Sequence, residues 1–164
     1  TRINSVCFSA YTKYKGKNVT AKLMGFYGGD AFDMTMLGGY VEHEIIDPER
    51  GFVSYTPICA SSVWFDLHTN GPKFQYGIFG GYIKNMGPRE DYLEGGNIYA
   101  RGYDIDHVYR VSGRFIYNVH KFRLAPEIEY TVAAYATEFG ENLNITKFND
   151  VGNLRFLIGF YYFF

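Results

Sequence analysis

The sequence predicts an all-β fold, a transmembrane antiparallel β-barrel with about eight strands in this chain, each near the ~9–11 residues of a tilted crossing. Three observations carry that expectation. Apolar and polar side chains alternate with a period of two along most of the 164 residues, and no segment holds a helical stripe over three turns. Aromatic residues make up 20% of the chain, as 16 Tyr and 15 Phe against a single Trp. That exceeds the need of a soluble core, and such rings form girdles where a bilayer meets water. The last strand places Leu154, Phe156, Ile158, Phe160, Tyr162 and Phe164 on one face and ends there.

Composition narrows the classes further. A formal net charge of -1 gives no bulk electrostatic case for a nucleic-acid partner. The mean hydropathy is -0.18. No apolar run reaches the ~18 residues of a membrane helix, a test that a barrel wall escapes because only alternate residues meet lipid. Residues 1–164 read as a single barrel segment. Thr1 to Tyr14 has neither the basic nor the apolar region of a signal peptide, as expected of a mature chain or a fragment. Cys7 and Cys59 lie far apart and are expected to be free thiols.

Taken in order, the first strand is expected over Arg2 to Lys15, with Val6, Phe8 and Ala10 against Ser5, Cys7, Ser9 and Lys13. A tight turn at Lys15-Gly16-Lys17-Asn18 leads to a strand with Val19, Ala21, Leu23 and Tyr27 on one face and Thr20 and Lys22 on the other. Met34 to Tyr40 reads as a Gly-rich strand. Val63, Phe65 and Leu67 then alternate with Trp64, Asp66 and His68. Lys73 to Asn85 puts Phe74, Tyr76, Ile78 and Tyr82 toward lipid, and the final strands cover about Tyr103 to Asn118, Lys121 to Tyr135 and Asp150 to Phe164. Short connections at Thr69-Asn70-Gly71-Pro72 and Asn118 to Lys121 alternate with long polar ones near Glu42 to Cys59, Met86 to Gly102 and Ala136 to Asn149. That is the pattern of short periplasmic turns and long extracellular loops. The Lys15 to Asn18 turn breaks it, since counting back from the C-terminus puts this short turn outside.

A two-residue loop at Val119-His120 pairs Asn118 with Lys121 and sets the register of the hairpin behind it. Tyr117 then faces Phe122, Phe115 faces Leu124, Val111 faces Ile128 and Tyr109 faces Tyr130. On the other side Arg110 faces Glu129, Ser112 faces Glu127, Ile116 faces Arg123, and Arg114 is diagonal to Glu127. Charge must lie away from lipid, because a mid-bilayer Arg costs ~2–4 kcal/mol. Arg110, Arg114, Arg123, Glu127, Glu129, Arg155 and Asp66 are therefore the candidate lumen residues. In this register Pro126 faces Gly113 at a non-hydrogen-bonded position, so its missing donor is expected to interrupt the ladder to the C-terminal strand.

Nothing points to catalysis or a cofactor. No P-loop, Rossmann fingerprint, Gly-x-Ser-x-Gly elbow or His-Glu-x-x-His occurs. Asp104 and Asp106 are weak metal candidates near an outer rim. Alternation sets His107 on the opposite face from both, which spoils a carboxylate–His dyad unless the strand bulges.

The end of the chain resembles the C-terminal assembly signal of bacterial outer-membrane proteins, with Gly159 followed by Tyr162 and the terminal Phe164; Leu157 departs from its usual polar residue. That resemblance implies recognition by the barrel assembly machinery through the last strand. More of the chain is similar to porin-like outer-membrane proteins of Bacteroidetes, akin to DcaP-type trimeric porins. The similar segments are TMLGGY (Thr35 to Tyr40), YTP (Tyr55 to Pro57), GIFGGYIKNMG (Gly77 to Gly87), ARGYDIDHVYR (Ala100 to Arg110), EYTVAAY (Glu129 to Tyr135) and the terminal YYFF. The resemblance implies the C-terminal half of a larger barrel of about 16 strands, wide enough for an aqueous channel. It also implies a Gram-negative outer membrane, contact with lipopolysaccharide, a homo-oligomer and passive diffusion of small solutes. The alternative is a complete eight-stranded barrel with an anchoring or binding role.

Overall fold

The computed structural model describes residues 2–164. Nine strands follow in chain order: β1 (Cys7–Lys15), β2 (Val19–Gly29), β3 (Gly38–Asp47), β4 (Phe52–Thr69), β5 (Phe74–Pro88), β6 (Ile98–Arg101), β7 (Ile105–Val119), β8 (Phe122–Phe139) and β9 (Ile145–Tyr162). One 3-10 turn, Glu141–Leu143, joins the last two. The main path of the sheet is β1-β2-β4-β5-β7-β8-β9, antiparallel at every step. The sheet is not closed: among the described residues β1 and β9 share no pair.

The strand count and one connection differ from expectation for the same reason. Strand β4 is 18 residues long, and its second half pairs with β2 while its first half pairs with β3. Strand β3 therefore does not cross beside β2. It pairs with the early part of β4 on one side and with β6 on the other. Glu42 to Cys59 is accordingly no loop but a hairpin closed by a turn over 48–51. Met34 to Leu37 lies in turns ahead of β3, not in a strand. The Ala136 to Asn149 connection shrinks to 140–144 between β8 and β9. Cys7 and Cys59 are both free thiols.

Removing β3 from the main path also resolves the turn that broke the alternation. The β1–β2 turn now falls at the same end as the β4–β5 turn, and Asn70 ties them together: its N–H donates to Asn18 O at 2.8 Å and its Nδ2 to Gly16 O at 2.9 Å. The β7–β8 turn and the C-terminus join them, with the Phe163 N–H on Lys121 O at 2.8 Å. All three tight turns of the main path thus share one end, and the longer segments lie at the other.

The β7–β8 register is offset by two residues from the sequence expectation. Val119 faces Phe122, so the turn is His120-Lys121, and His120 takes a positive φ of 51°. Ser112 faces Glu129, Val111 faces Tyr130, Arg114 faces Glu127 directly and Asn118 faces Arg123. A slip of two leaves every side chain on its expected face. It does change which way Pro126 points. Counting from the turn, Pro126 now occupies a hydrogen-bonded position opposite Phe115, and the donor it lacks is one aimed at β7. The β7–β8 pairing is interrupted between Arg114↔Glu127 and Tyr117↔Leu124, while β8–β9 runs regularly through Pro126↔Ile158. The expected break toward the C-terminal strand is thus overturned, along with the register that implied it.

At the end with the long connections, Glu42 on β3 organises the segment that precedes β6. Its N–H donates to Asn97 O at 3.1 Å, and its O accepts from Leu93 N at 2.8 Å. Its carboxylate accepts from Asn97 N and from Asn97 Nδ2, both at 2.9 Å. Those Asn97 bonds hold the carboxyl below its ordinary value of 4.5. A depressed folded-state value means the stabilisation is present above the ordinary pKa and is lost as pH falls through the lowered one. Amide protons of residues 93–97 are expected to exchange slowly at neutral pH and to lose protection on acidification. In Glu42→Gln that acid step is expected to vanish; an unchanged step would assign it to another group.

Candidate functional site on the charged face

The two faces of the main sheet differ in charge, and the pairing shows this row by row. One row across all seven strands reads Thr12, Leu23, Phe65, Gly80, Val111, Tyr130, Leu154; the next reads Tyr14, Ala21, Leu67, Ile78, Gly113, Ile128, Phe156. Neither row holds a charge. Their large side chains are open to the surroundings, with Phe156 73% and Leu154 55% exposed. On β9 the side chains of this face carry no charge from Gly152 to Tyr162, a rise of about ten residues. At about 3.3 Å per residue and a tilt of ~40° it spans a height near the ~25 Å apolar band of barrel walls.

The opposite face carries the ions in three rows. The first is Lys13, Lys22, Asp66, Phe79, Ser112, Glu129, Arg155; the second is Lys15, Thr20, His68, Gly77, Arg114, Glu127, Leu157; the third is Tyr11, Met24, Trp64, Gly81, Arg110, Thr131, Asn153. Six Lys or Arg therefore face three carboxylates. These residues arrive on one face because β-strand side chains alternate and neighbouring strands are in register.

Asp66 is the centre of the first cluster. It sits 3.5 Å from Lys22 Nζ and 2.8 Å from His68 Nδ1, and it accepts a hydrogen bond from Arg114 Nη2. Arg114 belongs to β7, two strands from Asp66, and crosses β5 over Gly77. A Cβ at Gly77 would stand 2.8 Å from Arg114 Nε, so the missing side chain makes the crossing. Glu129 centres the second cluster, 2.7 Å from Arg155 Nη2 and 3.5 Å from Arg110 Nη1. Arg110 Nε donates to Thr131 Oγ1 at 3.0 Å, and Ser112 Oγ donates to Glu127 Oε1 at 2.5 Å. Thus Arg110 and Glu129 still pair, diagonally rather than face to face. Arg123 stands apart near the tight turns, donating to Asn118 Oδ1 at 2.7 Å and lying 5.4 Å from the Phe163 ring centre.

Toward the long connections, the segment between β2 and β3 folds across the charged face. Leu37 is 1% exposed and packs with Ala60, Ile83 and Val108. Met34 and Met36 overhang Met24, Trp64, Phe79 and Arg110, leaving a cavity of about 290 Å³.

Of the two aspartates near this end, the Asp106 carboxylate is held by Lys84 Nζ at 2.6 Å and His107 Nδ1 at 2.7 Å, and the Asp104 backbone carbonyl accepts from Ala136 N at 2.7 Å. The pairing shifts between Ile105 and His107, and this irregularity brings together the Asp–His pair that strict alternation forbids. The His107 ring also stacks on Tyr82 at 5.5 Å and meets Phe148 edge-on at 5.2 Å. Among the described residues no three His, Cys, Asp or Glu side chains converge as a metal site.

At the C-terminus, Gly159 pairs with Ala125 and lies beneath the Tyr161 ring, whose Cε2 would stand 2.9 Å from an added Cβ. Tyr162 pairs with Phe122 on the uncharged face and meets Phe164 edge-on at 5.6 Å. The sequence reading placed the ions on one face but missed Lys22, His68 and Gly77 as partners in the Asp66 cluster. The spacing of His68 from Asp66, two residues along one strand, was a usable signal. The crossing over Gly77 had none. No known family model, curated protein or solved structure matches this chain.

Proposed function

We propose that this chain forms part of the wall of a porin-like channel in the outer membrane of a Gram-negative bacterium, passing small solutes by diffusion without a chemical step of its own. The observation that carries the reading is the division of the seven-strand sheet into one face without charge across its central rows and one that concentrates the ions. In hydrocarbon the uncharged face meets lipid, and the ions line water. The common end of the tight turns, with Phe164 beside them, takes the periplasmic side. The longer segments then face outward toward lipopolysaccharide. Assembly by the barrel machinery through β9, and a homo-oligomer, belong to the same proposal.

Six cations against three carboxylates bias such a lumen toward anions. Purified protein in a planar bilayer is expected to conduct, with a reversal potential in a salt gradient on the anion-selective side. Arg155→Glu is expected to move that potential toward cation selectivity. Absence of conductance above background would reject the channel. It would favour the second reading, an anchoring or binding barrel, which the Leu37 segment lying across the charged face supports.

A further inference from the structure

Three of the four methionines in this chain meet at one place. Met24 on β2, with Met34 and Met36 from the segment between β2 and β3, lines the cavity of about 290 Å³ on the charged face, beside Trp64. Methionine usually fills gaps in a core, where its flexible thioether adapts to the space left over. These three leave the gap open: Met34 is 62% exposed and Met36 53%. Their backbone, by contrast, is fixed. The Met34 N–H donates to Ala31 O at 3.0 Å, and the Thr35 N–H donates to the same oxygen at 2.8 Å. Thr35 Oγ1 donates to Leu37 O at 2.6 Å, and Leu37 is buried against Ala60, Ile83 and Val108. The turn thus holds two thioethers over a third on the sheet, and the unbranched side chains let their sulfurs converge.

Neutral sulfur donors select ions by softness. Thioethers suit Cu(I) and its like, whereas hard cations take carboxylate, carbonyl or water. Among the described residues no Asp, Glu, His or Cys side chain lines this cavity. The ion at its edge is Arg110, whose guanidinium is committed to Glu129 at 3.5 Å and Thr131 at 3.0 Å. That positive charge opposes a divalent ion more than a monovalent one, since Coulomb energy scales with charge. The electron-rich face of an indole attracts a cation, and Trp64 offsets part of the repulsion.

We infer that Met24, Met34 and Met36 form a thioether site for a soft monovalent cation, Cu(I) or Ag(I), with Trp64 beside the ion. The site goes beyond the channel and does not depend on it, because it needs the segment folded on the sheet and not a conducting wall. Purified protein carrying Cys7→Ser and Cys59→Ala, which removes this chain's competing thiols, is titrated with silver nitrate in the absence of chloride. The part of the tryptophan emission that Trp64→Phe abolishes is expected to change and to saturate at one Ag(I) per chain. Met24→Leu, Met34→Leu and Met36→Leu each keep an apolar side chain of similar volume. Each is expected to weaken binding by about tenfold or more, because even an outer partner of a metal site is worth ~10–100-fold. Met86→Leu, which lies beside Lys84 and Leu143 instead, is expected to leave binding unchanged. A thioether has no proton to lose, so affinity is expected to stay flat between about pH 5 and 8, unlike that of a histidine site. The silver X-ray absorption edge of the same Cys-free protein is expected to show a sulfur shell, a readout that needs no methionine variant to fold. Nitrogen or oxygen neighbours, a pH step, an equal response to Zn(II), or unchanged affinity in the three leucine variants would each overturn the site. A measured conductance would stand in every case.

Discussion

For the membrane wall proposed above, Leu154→Arg is expected to destabilise the protein by about 2–4 kcal/mol, the cost of a guanidinium on a lipid face near mid-bilayer. Asn153→Arg, one residue away, is expected to change stability by less than about 1 kcal/mol. The two positions share a strand and a depth, and both lie on β9, so strand propensity and edge effects are common to them. They differ in face. Leu154 pairs with Tyr130 in a row that contains no charge, and Asn153 pairs with Thr131 in the row that contains Arg110. Reversible urea unfolding in lipid vesicles measures both. Equal costs would show that the two faces meet similar surroundings, as in a soluble sheet, and would remove the main support for a membrane wall.

That facing was legible in the sequence because it needs only parity. Period-two alternation assigns a side chain to a face regardless of what its strand pairs with, so the two-residue error at the β7–β8 turn moved no residue across the sheet. Register is a finer quantity. It turned on whether His120 closes the hairpin with Val119 or with Lys121, and the positive φ of 51° at His120 is a tertiary fact that histidine does not announce. The role of β3 was harder still. Its ladder to β4 is irregular between Glu42 and Asp47, and the polar stretch Glu42 to Asp47 looks like loop by composition. Polar content there follows from position: β3 pairs with the part of β4 that extends beyond β2, outside the uncharged rows. Sequence spacing also cannot show that Arg114 reaches Asp66, since 48 residues separate them and the contact depends on the bare backbone of Gly77.

Asp66→Ala is expected to produce the largest loss of any change on the charged face. Its carboxylate is nearly buried, at 9% side-chain exposure, and it faces Lys22, His68 and Arg114 at 30%, 23% and 21%. Removing it leaves two permanent cations gathered around an apolar gap. Breaking a fully buried pair costs about 3–5 kcal/mol. The partial exposure of the cations lets water and salt relieve some of that, so about 2 kcal/mol is expected here. The dependence on salt separates this from a packing defect: the deficit is expected to shrink as ionic strength rises, because screening eases the repulsion between Lys22 and Arg114. A double variant with Arg114→Met is expected to recover part of the loss, since it removes the stranded charge and leaves an apolar chain to lie over Gly77. Gly77→Val, which puts bulk under the same crossing, is expected to resemble Asp66→Ala in weakening the Arg114 contact while leaving Lys22 paired. If Asp66→Ala costs less than about 0.5 kcal/mol, the range of ordinary surface changes, the three-strand clamp does not hold the wall together.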